Sequence, residues 1–142
     1  MGSEKKEVYF VGYTLQHQFV ITDKNVQLFA EATGDFNPVH FDKDYCRNTR
    51  FKLPIAHGLL SASVFSKVYG NIFPGEGSVY VSQTLEFKKP VYMNIPYQAN
   101  FKVVGIQSDV GKVIIDCQIV DQQNVVLLQG QSVIYHEKFK SR

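Results

Sequence analysis

The chain has 142 residues, a length typical of one folded domain and too short for two ordinary ones. Fifteen Lys and Arg against thirteen Asp and Glu give a net charge of +2, far below the basic excess typical of nucleic-acid binders. Hydrophobic residues make up 44% of the chain, as in ordinary globular proteins. We therefore expect a single domain over residues 1–142, with residues 1–7 as a flexible N-terminal segment.

No membrane anchor or export signal is predicted. The chain has no apolar run of the roughly 20 residues that span a bilayer, and its polar start lacks the apolar segment of a signal peptide. We therefore expect a cytoplasmic protein. Cys46 and Cys117 stand far apart and outside any Cys/His cluster. The sequence thus predicts two buried or half-buried thiols, with neither a disulfide framework nor a metal site.

A strand and a helix are predicted in the first part of the chain. Residues 17–21 alternate as in a short strand, and Thr22 then stands at a helix N-cap position. Apolar residues recur at helical spacing up to Thr33, and Gly34 is a typical residue for ending a helix. A helix is therefore expected from Thr22 to Thr33.

A second helix is predicted over residues 55–69, after a polar segment at 42–48 that fits a short helical turn or a loop. Apolar and small residues surround most of the circumference of the second helix. Such a helix is expected to be buried on nearly all sides.

The rest of the chain is rich in β-branched and aromatic residues. Alternation predicts four strands, joined in part by two connections short enough for antiparallel hairpins; the strands cover residues 78–89, 97–108, 111–121 and 124–136. Helices that come early and strands that come late indicate an α+β fold, in which a sheet curls around one buried helix.

The segment after the first helix contains an acid and an imidazole. Asp35 and His40 lie five positions apart, and Pro38 favours a bend between them that could bring both side chains to one cleft. Such a pair can orient a water molecule and transfer protons. The same residues also fit an ordinary loop, in which Asp35 caps free amides and Asn37 closes an Asx-turn.

The start of the second helix is a candidate anion-binding element. Gly58 is predicted near the helix N-terminus, where main-chain N–H groups lack partners within the helix and face the positive end of its dipole. Gly58 could equally allow close packing against a strand. We expect His57 to be a positional residue hydrogen-bonded at the helix start, with a second base as the alternative role, and Ser66 to matter only if it faces the cleft. Several basic residues could meet a phosphate at the mouth of a cleft or form a solvated surface: Arg47, Arg50, Lys52, Lys88 and Lys89.

Two successive motifs resemble the signature of a known enzyme family. Gly34-Asp35-x-Asn37-Pro38-x-His40, preceded by Phe29-Ala30, is followed by Pro54-Ile55-x-His57-Gly58-x-Leu60. This pattern resembles the MaoC-like (R)-specific enoyl-CoA hydratases and related 3-hydroxyacyl-thioester dehydratases. Residues 87–91 resemble the strand and turn that follow the buried helix in that family. The likeness covers about residues 16–135, with a departure at residues 94–96, in the loop connection.

The resemblance implies a hot-dog fold, in which a long antiparallel sheet wraps a central helix at residues 54–70, commonly as a homodimer with its sheets joined edge to edge. It implies that Asp35 and His40 are the catalytic pair, that Asn37 supports the loop, and that the Gly58 amide receives the thioester carbonyl. Ser66 matches a serine near the reacting water in some members. Apolar residues expected to line an acyl tunnel are Phe65, Tyr69, Ile72, Phe73 and Tyr80.

Three functions are compatible with these features. The first is a hydro-lyase that adds water reversibly to a trans-2-enoyl thioester, without metal or redox cofactor and with coenzyme A or acyl carrier protein as part of the substrate. The second is thioester hydrolysis on the same scaffold. The third is a non-catalytic acyl-thioester binder, which the presence of both Asp35 and His40 disfavours. Neither a nucleic acid nor a membrane is expected as a partner.

Overall fold

A six-stranded antiparallel sheet curls around one long helix. The computed structural model describes residues 9–141, so the flexible segment expected at 1–7 lies outside the described residues. The elements in chain order are β1 (Thr14–Val20), α1 (Asp23–Thr33), a 3₁₀ turn (Pro38–His40), α2 (Lys43–Arg47), α3 (Gly58–Asn71), β2 (Val79–Gln83), β3 (Glu86–Phe87), β4 (Pro96–Gln107), β5 (Lys112–Val120), β6 (Val126–Tyr135) and a second 3₁₀ turn (Glu137–Phe139).

The strands are ordered β1-β4-β5-β6-β2 across the sheet, and β3 also pairs with β6. All pairs are antiparallel, so the two predicted hairpins, β4–β5 and β5–β6, are confirmed. The α+β hot-dog architecture is confirmed as well. Over the described residues, no helix is both long and apolar enough to cross a bilayer.

The first helix follows its predicted signals closely. The Thr22 hydroxyl accepts a hydrogen bond from the Asn25 amide at 3.1 Å, and the Asn25 side chain accepts one from the Thr22 amide at 2.9 Å. Gly34 ends the helix with φ at 81°, a left-handed conformation that glycine adopts without steric cost. The helix therefore ends directly before Asp35.

The core lies between α3 and the concave face of the sheet. Phe65 and Tyr69 are buried on α3, and both rings pack edge-on against Phe101 of β4, with centroid distances of 5.7 and 5.5 Å. Burying side chains of this size contributes roughly 1.5–3 kcal/mol each to folding. The Tyr69 hydroxyl donates to Ser132 at 2.6 Å, and Ser132 donates to the Gln83 side chain at 2.5 Å, so the buried hydroxyl is satisfied.

Three sequence predictions about local structure were wrong in detail. The strand expected over 78–89 is two strands, because the main chain at Thr84 leaves the strand and crosses over Gly130. A Cβ atom at position 130 would lie only 1.8 Å from the Thr84 carbonyl oxygen. The helix expected from residue 55 is α3 and begins at Gly58, because the main-chain N–H groups of Ile55 and Ala56 donate to the carbonyls of Val39 and Val91 instead.

The third error concerns the burial of α3. The sequence predicts a helix buried on nearly all sides, but one face of α3 is exposed, and Leu59 on that face is 63% exposed. The sheet of one chain covers only one side of the helix. The exposed face consists of Leu59, Ser63, Ser66, Lys67 and Gly70. Cys46 and Cys117 are free and buried, as predicted.

Candidate active site

The loop after α1 brings the predicted acid and imidazole together. The Asp35 carboxylate accepts a hydrogen bond from the Asn37 amide at 3.2 Å, and the Asn37 side chain accepts one from the Val39 amide at 3.2 Å. These turns and Pro38 fold the loop back, so that Asp35, His40 and His57 each offer a polar side-chain atom within 4.8 Å of the others. Asn37 therefore shapes the loop through an Asx-turn, as the loop chemistry of the sequence indicated.

His40 has one ring nitrogen committed to the main chain. Its Nδ1 lies 2.6 Å from the carbonyl oxygen of Ile55, and a carbonyl oxygen can only accept a hydrogen bond, so Nδ1 carries the proton. In the neutral ring this leaves Nε2 unprotonated and able to act as a base. Burial lowers the pKa of His40, with a smaller contribution from His57, while the Ile55 carbonyl and the Asp35 carboxylate oppose that shift.

His57 connects the same loop to the start of α3. Its side chain is 2% exposed, and its Nε2 donates to the main-chain carbonyl of Asp35 at 3.0 Å. Its ring stacks on that of His40, with centroids 3.8 Å apart and an interplanar angle of 30°. The positional role expected for His57 therefore involves both Asp35 and His40.

Gly58 is the first residue of α3, and the side chain of His57 makes no capping hydrogen bond there. The first N–H groups of the helix are thus free of both intrahelical and side-chain caps at this end. A Cβ at position 58 would lie 2.7 Å from the ring of Phe87, so only glycine allows this ring to approach. The donor and close-packing interpretations of Gly58 are therefore compatible.

A cavity of about 500 Å³ opens beside these groups. His40 and Gly58 line it, whereas Asp35, Asn37, His57 and Ser66 are not among its lining residues. Sequence reasoning missed Ser61, Phe87 and Leu128, which also line the cavity. Ser61 lies three positions after Gly58 on the same helix face, so helical spacing could have identified it. The contribution of the Ile55 carbonyl left no signal in the sequence, because it is a main-chain group.

Ser66 and the expected tunnel residues lie elsewhere. Ser66 is on the exposed face of α3 and does not face the cavity of this chain. The expectation that five apolar residues line an acyl tunnel is not met within one chain: Phe65, Tyr69 and Phe73 are at most 2% exposed and belong to the core, and Ile72 and Tyr80 are exposed. Phe65 and Tyr69 are on the face of α3 that packs against β4 of the sheet, so neither is available to line a tunnel in this chain.

Basic residues stand at the rim of the cavity. Of the five proposed from sequence, Arg50, Lys88 and Lys89 are lining residues. Arg47 instead pairs with Asp44 at 3.1 Å on the exposed surface of α2, and Lys52 is exposed and outside the cavity lining. The cavity thus combines an apolar wall, an imidazole, a helix N-terminus and a positively charged rim.

Asp35, His40 and His57 are also residue types that bind divalent metals. One nitrogen of each imidazole donates to a main-chain carbonyl, which leaves one lone pair on each neutral ring. An acid beside an imidazole is also a residue pair that can hold and transfer protons.

Comparisons with known proteins agree with this architecture. A family model described as a MaoC like domain matches residues 11–124. The (R)-specific enoyl-CoA hydratase of Aeromonas caviae is 36% identical over 109 residues, which cover 77% of this chain and 81% of that protein. The 3-hydroxybutyryl-CoA dehydratase of Methylorubrum extorquens is 34% identical over 140 residues, which cover 94% of this chain and 87% of that protein.

The fold comparison leads to the same group of proteins. A solved structure of an (R)-hydratase from A. caviae superposes with a TM-score of 0.86 at 32% identity. The match covers 91% of this chain and 98% of that one.

The environment of His40 predicts how it titrates. By NMR, the Cε1 proton of His40 should titrate at a lower pH than a histidine in a disordered peptide, because burial disfavours the imidazolium. The variant Asp35→Asn should lower the midpoint further, because it removes a carboxylate that stabilises the imidazolium. A midpoint above that of the peptide, or one that rises in Asp35→Asn, would contradict this assignment.

Proposed function

Because the chain belongs to the MaoC-like family, we propose that it is a hydro-lyase that adds water reversibly to a trans-2-enoyl thioester and forms the (R)-3-hydroxyacyl thioester. The observation that carries this proposal is the cluster of Asp35 and His40 within 4.8 Å, together with a cavity lined by both His40 and the helix-initiating Gly58. An acid-base pair and an anion-stabilising amide are what this reaction requires.

The reaction needs two proton transfers and stabilisation of one negative oxygen. Asp35 and the free Nε2 of His40 hold the water molecule and remove its proton as its oxygen bonds to Cβ. The C=C π bond breaks, electron density moves to the thioester oxygen, and Cα then receives a proton from the pair on the same face. The net change is the addition of one water molecule, with no electron transfer.

The Gly58 amide receives the thioester oxygen while it carries negative charge. This N–H group is at the positive end of the α3 dipole, in a wall shared with Phe87 and Leu128. One donor of this kind contributes about 2.7–4 kcal/mol to a transition state with a developing oxyanion. Since the thioester already activates Cβ, the proposal includes neither a metal nor a redox cofactor.

The basic rim suggests how the substrate is held. Arg50 and Lys88 belong to different segments that meet at the cavity, and Arg50 lies over the Phe51 ring at 4.8 Å. Guanidinium and ammonium groups bind phosphate oxygens well. We therefore include coenzyme A, whose pantetheine arm ends in phosphates, as the preferred carrier of the acyl group. The cytoplasmic location expected from the sequence stays a prediction.

The acid-base pair can be tested directly. Asp35→Asn and His40→Ala should each lower kcat for hydration of crotonyl-CoA by roughly 10²–10⁴, because each removes one proton-transfer group. The assay follows the loss of enoyl absorbance, and chiral analysis of the product reports its configuration. Asp42→Asn is a matched control, because an asparagine keeps the N-cap bond to the Tyr45 amide.

A folded Asp35→Asn or His40→Ala variant with near-parental turnover would refute the assigned pair. Release of free thiol in step with loss of the enoyl substrate would instead identify a thioesterase. Binding of the thioester without any product would identify a binder. Running short, medium and long acyl chains in parallel reports the depth of the pocket.

The rim can be tested with a substrate that lacks phosphates. The double variant Arg50→Glu with Lys88→Glu should raise KM for crotonyl-CoA about tenfold at low salt and less at high salt. We expect kcat to change little, because these charges contact only the phosphates of coenzyme A and not the reacting atoms. The N-acetylcysteamine thioester should show no such rise. Lys102→Glu with Lys140→Glu, at two exposed positions outside the cavity lining, is the charge-matched control. Equal effects on both substrates would contradict phosphate binding.

We also include a homodimer in the proposal. Within the described residues β2 pairs on one side only, with β6, and its residues Val79 and Val81 are 57% and 47% exposed. An open apolar edge strand is a surface for pairing with another chain. The exposed face of α3, which includes Ser66, lies uncovered in the single chain. A second copy joined along β2 would extend the sheet and place Ser66, which matches a serine near the reacting water in some members of the family, between the subunits.

The dimer predicts a simple sedimentation result. The parent protein should sediment at about twice the chain mass of 16.2 kDa. Val81→Lys should shift it toward the monomer, because a charge on an edge strand opposes pairing. Val110→Lys, in the β4–β5 turn at 43% exposure, should leave the dimer intact. A monomeric parent protein at micromolar concentration would contradict the proposal.

A further inference from the structure

One imidazole contacts both members of the proposed acid-base pair without belonging to the cavity wall. His57 stands at the N-cap of α3 and is 2% exposed. Its ring lies against those of Phe29 and His40, at centroid distances of 4.7 and 3.8 Å. Phe41 approaches it edge-on at 6.2 Å. The ring is therefore enclosed by aromatic groups from two segments of the chain.

The hydrogen bonding of His57 defines which ring nitrogen carries the proton. Nε2 lies 3.0 Å from the Asp35 carbonyl oxygen and must carry a proton to make that bond. Nδ1 is buried and has no hydrogen-bond partner among the described residues. In the neutral ring the single N–H proton of His57 is therefore on Nε2.

This arrangement limits what His57 can do in the reaction. It is not a lining residue of the cavity, and its only proton is held by a main-chain carbonyl. A second base would need a free nitrogen facing the substrate. Two contacts of His57 reach the proposed pair, the hydrogen bond to the main chain of Asp35 and the stacking on the His40 ring, so it can orient both groups.

We propose that His57 is a positioning residue that sets the relative placement of Asp35 and His40, through its hydrogen bond to the Asp35 carbonyl and its stacking on the His40 ring. This inference rests on the proposed function. The hydrogen bond fixes where the carboxylate-bearing loop meets α3, and the stack fixes the plane of the imidazole. Small displacements of reacting groups have large effects, with about 1 Å costing up to 10²-fold in rate.

Two substitutions separate the two contacts. His57→Phe keeps a flat ring for stacking on His40 but cannot donate to the Asp35 carbonyl. His57→Gln keeps an amide donor at a reach similar to that of Nε2 but has no ring. If the hydrogen bond positions the pair, His57→Phe should lower kcat roughly 10- to 100-fold with KM within about twofold, and His57→Gln should recover much of that loss.

The outcomes that overturn the inference are equally specific. A folded His57→Phe with near-parental kcat would show that the bond to Asp35 does not position the pair. A rise in KM with unchanged kcat would place His57 in substrate binding instead. Urea unfolding of each variant reports whether the fold is intact, since a purely structural role would lower stability and leave the kcat of the folded fraction unchanged.

A measurement on the parent protein keeps the inference testable even if both variants fail to fold. ¹⁵N NMR should show the neutral His57 ring as the Nε2–H tautomer, because Nε2 donates to the Asp35 carbonyl. The Nδ1–H tautomer would overturn the inference, because Nε2 could not then donate that bond. Asp35→Asn separates the inference from the proposed function: full hydration by that variant would refute the acid-base pair, whereas the tautomer of His57 is read without any activity.

Discussion

Two hydrogen bonds from imidazole nitrogens to main-chain carbonyls hold the candidate site together. His40 Nδ1 bonds to Ile55, and His57 Nε2 bonds to Asp35. In the first bond, a side chain of the loop after α1 donates to the segment before α3. In the second, a side chain of that segment donates to the main chain of the loop. Groups 15 and 22 positions apart in the chain are thereby joined. Because each carbonyl can only accept, both bonds also determine which ring nitrogen carries the proton.

This cross-connection explains why the two residues of the pair have such different surroundings. His40 is partly buried and stacked on a second imidazole, conditions that favour its neutral form. Asp35 is exposed, and over residues 9–141 its carboxylate accepts a hydrogen bond only from the Asn37 amide of its own loop. A neutral base beside a charged carboxylate is an arrangement that can both remove and return a proton. The backbone sets this contrast, since the same two side chains in an open loop would have similar environments.

The sheet completes the site through two glycines. Gly130 in β6 lets the main chain of Thr84 cross close above it, and this crossing divides the strand expected at 78–89 into β2 and β3. The displaced β3 then places Phe87 over Gly58, where a side chain of any size would clash. Gly130 thus allows the strand to break, and Gly58 leaves room for the Phe87 ring of β3. The apolar wall beside the free N–H groups of α3 depends on both close approaches.

The sequence alone determined the features that depend on local chemistry. Thr22 and Gly34 marked both ends of α1, alternation located β4, β5 and β6, and two motifs identified the family through Asp35, His40 and Gly58. Tertiary structure decided what depends on distant main-chain groups. Hydrogen bonds with other segments explain the contact of His40 with the Ile55 carbonyl and the start of α3 at Gly58. A close contact with Gly130 explains the break between β2 and β3 at Thr84. Such contacts have no residue signature, because every residue carries the same main-chain donor and acceptor. Periodicity likewise indicated that α3 is apolar around its circumference, but only the placement of the sheet determined which face stays uncovered.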